Sequence, residues 1–158
     1  MAETTPARLA ERLQKEGQKV IDYFSVLTDK QWKTEVYTEG DTWTLCNIMA
    51  HFVTSERGLL KLFEAIRQGG PGASDDFSID HYNARQQEKT KDLKPGELLA
   101  QFVDVRGDTV KWVSGLSEED LAKEGRHPYL GQVQLVEMIK MIYVHNQIHF
   151  RDFRKLVE

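Results

Sequence analysis

Apolar residues recur at helical spacing in four long segments of this chain, separated by strong breakers. Leu9, Leu13, Val20, Ile21 and Phe24 form a first stripe, and Leu45, Met49, Phe52, Leu59, Phe63 and Ile66 a second. Leu98, Leu99, Phe102, Val105, Val110, Trp112 and Val113 form a third, and Leu135, Met138, Ile142, Phe153 and Leu156 a fourth. Residues three and four apart share one face of a helix, so each stripe needs a partner that covers it. Alternation is confined to Val36-Tyr37 and Val133-Gln134-Leu135, too brief to argue for strands. The expectation is an all-α protein built as a four-helix bundle.

The punctuation sets the boundaries. Pro6, after Thr5, suits the first position of a helix, where its missing N–H has no helical partner to lose. Thr28 and Gln31 have the spacing of a capping box, as does Ser117 with Asp120. The second helix runs from about Thr44 to Gln68 and stops at Gly69-Gly70-Pro71-Gly72. The stretch from Gly69 to Ser78 reads as a crossover loop, because neither half alone has enough helices for a core. A third helical region begins near Asp80, breaks at Lys94-Pro95-Gly96, where proline would cost a helical hydrogen bond, and closes at Gly115-Leu116. The last helix is expected over Val133 to Leu156. A faint echo relates the halves: each has a long helix, a short capped turn, an irregular stretch and then a histidine-bearing helix. A chain of 158 residues fits one domain, residues 1–158.

Charge narrows the partners. Lysine and arginine total 21 against 25 acidic residues, a formal net charge of −4, which argues against nucleic-acid binding. No apolar run approaches the roughly 20 residues needed to cross a membrane. The first residues, Met1 to Pro6, lack the basic start and apolar stretch of a secretory leader, so a cytoplasmic protein is expected. Cys46 is the only cysteine and reads as a small core-facing residue.

The histidines carry the chemistry. His145 and His149 stand four apart on the line of Met138, Ile142 and Phe153, so both imidazoles face the bundle interior. A buried polar group without a partner costs on the order of 1–3 kcal/mol, and one divalent ion would satisfy both rings. His51, within the second helix, is the expected third ligand. Three neutral histidines leave a coordination position open to water or substrate. Zinc is the first expectation for such nitrogen ligands, with nickel, copper, iron or manganese as alternatives. His81 and His127 are expected at the surface. Asn146 stands where the H-E-x-x-H pattern of zinc proteases has its glutamate, so that general base is missing. Glu56 and Asp152 read first as solvated helix-face charges and second as groups that orient a ligand imidazole. No catalytic residue is identified.

Asp41-Thr42-Trp43-Thr44 leading into His51, followed by His145-x-x-x-His149, resembles the DinB/YfiT-like superfamily over nearly the whole chain. The resemblance implies an up-down-down-up four-helix bundle with a metal on three histidines, frequently within a homodimer. Relatives of this kind include thiol-dependent S-transferases and a mycothiol-dependent maleylpyruvate isomerase. Asp80-His81-Tyr82-Asn83-Ala84-Arg85 resembles a family helix start, and Asn83 there could line a pocket. The first functional expectation is a metal-dependent transferase of a low-molecular-weight thiol to a small-molecule electrophile. The alternatives are a non-catalytic metal or small-molecule binding protein, and a metal-dependent hydrolase with Glu56 as the acid to test.

Overall fold

In the computed structural model, which describes residues 4–157, seven helices and two short hairpins follow one another in an order that repeats. The first half runs α1 (Pro6–Ser25), α2 (Asp29–Trp32), β1 (Glu35–Tyr37), β2 (Trp43–Thr44) and α3 (Leu45–Arg67). The helix α4 (Ile79–Thr90) lies in the crossover. The second half runs α5 (Pro95–Ser114), α6 (Glu118–Leu121), β3 (Glu124–His127), β4 (Gly131–Gln134) and α7 (Leu135–Phe153). The echo in the sequence is thus a repeat of helix, one-turn helix, hairpin and helix.

The ends of these elements follow local chemistry. Thr5 accepts a hydrogen bond from the Arg8 N–H, with Pro6 at the first helical position. Thr28 with Gln31, Ser117 with Asp120 and Thr44 with Asn47 each form a reciprocal capping box. Ser78 caps α4 by accepting from the His81 N–H.

Two apolar clusters give the topology. One gathers the start of α1 (Leu9, Leu13), the end of α3 (Phe63, Ile66), the end of α5 (Val113) and the start of α7 (Leu135, Met138, Ile142). The other gathers the opposite ends: Phe24, Leu45 to Val53, Leu98 with Phe102, and Phe153. Helices α1 and α7 therefore run one way and α3 and α5 the other, which is the up-down-down-up arrangement. Parallel neighbours α3 and α5 require the long crossover that carries α4.

Between the clusters lies one buried polar layer. Arg106 on α5 donates from Nε and Nη2 to the two carboxylate oxygens of Glu56 on α3, both at 2.9 Å. It also donates to the Leu13 carbonyl of α1 and to Asn146 Oδ1 of α7, while Thr109 donates to Glu56. All four long helices meet at this guanidinium. Gly17 on α1 makes room for it, since a Cβ there would lie 2.8 Å from Arg106 Cγ.

The structure departs from the sequence reading in its hairpins. β1 pairs with β2 antiparallel, and β3 with β4, with Glu124 opposite Gln134 and His127 opposite Gly131. They are too short for alternation to stand out. The second hairpin draws support from elsewhere: Gly72 in the crossover bridges to Arg126, with the Arg126 N–H donating to Pro71 O and the Ala73 N–H to Arg126 O. Gly72 has a φ of 97°, and a Cβ on it would lie 2.4 Å from the Arg126 nitrogen, so only glycine fits. Val133 consequently belongs to β4 and the last helix starts at Leu135. Leu156 lies past the helix end and is half exposed rather than in the core stripe.

Candidate metal centre

His51 sits two turns into α3, and His145 and His149 sit one turn apart near the end of the antiparallel α7. Facing helices bring the three rings together, with centroids 4.7, 5.1 and 4.6 Å apart. His51 Nε2 lies 2.9 Å from His145 Nε2, which lies 3.0 Å from His149 Nε2. One nitrogen from each ring lies within 4.8 Å of the others. Trp43 packs against His51 at 5.1 Å between centroids, and Phe52 backs both His145 and His149. Burial pushes the His51 pKa well below its ordinary value, helped by the neighbouring imidazoles. Burial also holds His145 down to about 3, with His149 and His127 adding to the effect. For His149, burial lowers the pKa and Asp152 opposes it. All three rings are neutral at pH 7, the form that ligates a metal.

The proton arrangement fits a cation. Tyr37 Oη lies 2.5 Å from an Asp152 carboxylate oxygen and 2.8 Å from His149 Nδ1. A carboxylate only accepts, so the tyrosine hydroxyl donates to Asp152 and His149 Nδ1–H donates to the tyrosine oxygen. That tautomer leaves a lone pair on His149 Nε2, the atom that faces His145 Nε2 at 3.0 Å. Bonds of about 2.05 Å to a tetrahedral zinc would place nitrogens roughly 3.3 Å apart. The two spacings to His145 are a few tenths of an ångström shorter and all three nitrogens lie within 4.8 Å of one another, so small side-chain adjustments accommodate the ion. The donor set suits a divalent cation of the zinc type.

The histidines form the floor of a cavity of about 1270 Å³. Its walls include Tyr37 and Trp43 from the first hairpin, Leu59 and Leu62 from α3, Met141 and Ile148 from α7, and Asn83 and Gln87 from α4. Asn83 lies near the start of α4, on the cavity side of that helix. Tyr82 fixes α4 against α3 by donating to the Thr54 carbonyl, and Gln87 and Asn47 bond reciprocally.

Other residues fall differently from their sequence reading. Glu56 is not a solvated charge: it is buried in the Arg106 ion pair and is not part of the cavity wall. Asp152 is exposed, yet it reaches His149 through Tyr37. His81 is exposed as expected, but His127 is 4% exposed. The alternation of β3 turns Gly125 and His127 inward, which the brief strand pattern concealed. His127 Nδ1 accepts from the Tyr129 and Leu130 N–H groups, and burial lowers its pKa to about 4. Cys46 is half-buried against the second apolar cluster, and burial raises its thiol pKa. Beyond the brief Val36-Tyr37 alternation the sequence discloses no site role for Tyr37, since nothing local links it to a histidine 112 positions away.

The chain matches the family model of the DinB superfamily over residues 12–153. It belongs to the DinB superfamily. A comparison with curated protein sequences gives no match. Among solved structures, YfiT from Bacillus subtilis, described as a probable metal-dependent hydrolase with an unusual four-helix bundle topology, superposes with a TM-score of 0.77. It is 17% identical, over 96% of this chain and 85% of YfiT. The colibactin self-resistance protein ClbS, solved with double-stranded DNA, gives a TM-score of 0.74 at 12% identity over 98% of each chain. A mycothiol-dependent maleylpyruvate isomerase gives 0.70 at 17% identity, over 94% of this chain and 59% of the isomerase. At such identities the likeness is one of fold, and a fold of this kind does not by itself fix the chemistry it carries.

Proposed function

We propose that this DinB-superfamily protein binds one divalent cation, zinc in the first instance, through His51, His145 and His149, and that it transfers a low-molecular-weight thiol to an electrophilic small molecule. The observation that carries the reading is the convergence of three imidazole nitrogens on the floor of a cavity large enough for two reactants. When bound, the cation would supply Lewis acidity, lowering the pKa of a thiol so that the nucleophilic thiolate forms near neutrality.

The protein's own residues do the rest. Tyr37 and Asp152 orient His149, Trp43 and Phe52 hold the rings against apolar surface, and α4 closes the outer wall. In the transfer the thiol sulfur bonds to the electrophile's carbon, the thiol proton passes to solvent, and the displaced group leaves with its bonding pair. This reading is favoured over hydrolysis because neither Glu56 nor Asp152 is free to serve as a base for an attacking water. Glu56 is committed to Arg106, and Asp152 to Tyr37. It is favoured over a purely binding role because the cavity reaches the histidines directly.

The net charge of −4 and a cavity of molecular size favour a small-molecule substrate over nucleic acid. Among the described residues no helix is long and apolar enough to cross a membrane. The proposal takes the chain as one cytoplasmic domain and, following the family resemblance, as a homodimer.

Metal content tests the centre first. The protein purified without a histidine tag should carry about one ion per chain, and the His145→Ala/His149→Ala variant should carry none. Thiol consumption in the presence of an electrophile, lost in the same variant, then tests the transfer. No ion in the unsubstituted protein after reconstitution would end the metal reading.

A further inference from the structure

The cavity extends well beyond the histidines, and its extension has a different character. Along α3 its wall is made by Asn47, His51, Ser55, Gly58, Leu59 and Leu62. From His51 to Leu62 the helix rises about 16 Å. Asn47, His51 and Ser55 are polar, whereas Leu59 and Leu62 are apolar. On the antiparallel α7 Met141 lies one turn beyond His145 in the same direction, and Ile148 adds apolar wall beside the histidines.

Leu59, Leu62 and Met141 are all half-buried, so hydrocarbon surface remains open along this run. His127 stands in the same wall, yet its unpartnered Nε2 has less than 1 Å² accessible, so it offers the cavity no polar contact. At the rim Phe77 and Ile79 are about 40% exposed and Tyr129 is 70% exposed. Scattered apolar residues at a surface need no explanation, but these three line the same cavity as Leu59, Leu62 and Met141. Gly58 marks the change from polar to apolar wall. Tyr82 Oη would lie 2.5 Å from a Cβ there, so the absent side chain is what lets α4 sit close enough to roof the channel.

We infer that the ligand of this site is an elongated amphipathic molecule: a metal-binding head on His51, His145 and His149, and an apolar tail running toward Leu62, Met141 and the Tyr129 rim. The inference rests on the metal reading for the head and on the cavity wall for the tail. A compact, highly polar substrate would leave Leu59, Leu62 and Met141 facing water with nothing to cover them. Each tail methylene removed from water is worth about 0.8 kcal/mol at most, a gain of up to roughly fourfold in affinity.

Alkyl hydroxamates separate the two parts, since the head chelates zinc and the chain length varies freely. Titrated calorimetrically into the zinc-reconstituted protein, the series from acetohydroxamate to decanohydroxamate should gain about threefold in affinity per methylene until the channel is filled. In Leu59→Gln and Met141→Gln the ratio of decanohydroxamate to acetohydroxamate affinity should fall at least tenfold. Affinity that is flat along the series in the unsubstituted protein overturns the inference, whether or not the variants fold. Failure of acetohydroxamate itself would instead sink the metal reading. The channel is then decided on the metal-free protein with decanol, whose binding must exceed that of butanol and weaken in both variants.

Discussion

Removing the Tyr37 hydroxyl would leave His149 Nδ1–H and an Asp152 oxygen without their common partner, while touching no ligating atom. The His149 ring could then turn, or take the other tautomer and point an N–H at the cation. Groups that hold a metal-ligating imidazole by its far nitrogen commonly contribute roughly 10–100-fold in metal affinity, with about 30-fold as the midpoint. Tyr37→Phe should therefore weaken zinc binding by about that factor in a chelator competition, with helical circular dichroism unchanged. Unchanged zinc affinity would show that packing by Trp43 and Phe52 suffices to orient the ring. The contrast with the histidines shows what single residues disclose. His145 and His149 were legible because their spacing puts both on one apolar stripe, and His51 through its place after the Trp43-Thr44 helix start. Tyr37 and His127 were not, because their roles depend on hairpins that place them beside distant helices.

At the scale of elements, the long helices were legible from apolar periodicity and caps, and the hairpins were not. A strand of two to four residues contributes too little alternation to be read, and the pairing of Gly72 with Arg126 joins positions far apart in sequence. The same blindness hid Glu56: on α3 its spacing looked solvated, and only the approach of α5 reveals Arg106 opposite it. That pair is 3% exposed on each side and has no water to fall back on. Breaking it leaves a buried carboxylate unpaired, so Arg106→Met should cost about 3–5 kcal/mol in urea denaturation. Adding Glu56→Leu removes the stranded charge as well, and replacement of a buried pair by apolar side chains is often close to neutral. The double variant should thus recover most of the loss. A double variant no more stable than Arg106→Met alone would mean that the helices depend on the polar layer for their register, through Leu13, Asn146 and Thr109.

For the whole molecule, the buried neutral histidines tie stability to pH in a way surface charges do not. His145 is held at about 3 and His127 at about 4, and His51 and His149 are also lowered, in each case chiefly by burial. In the unfolded chain these groups titrate near 6.5. Above that value both states are neutral and the histidines add no pH dependence. Below it the unfolded chain takes up protons that the folded one refuses, so stability falls with acidification, by up to roughly 1.4 kcal/mol per pH unit for each histidine. The fall extends down to the folded values of about 3 to 4. The lowered carboxylates Glu16 and Asp120 add their own loss only at more acidic pH, as protonation removes their hydrogen bonds and ion pairs. Metal-free protein should therefore lose stability between about pH 6.5 and 4.5 from its histidines alone. Urea midpoints across that interval measure the slope, and His145→Leu/His149→Leu should flatten it. The same substitutions remove two ligands, so their effect on the metal-free chain isolates the burial of the rings from their service to an ion. A slope unaltered by the double variant would mean that the two imidazoles are hydrated and charge freely in the fold, which their packing against Phe52 and His51 argues against.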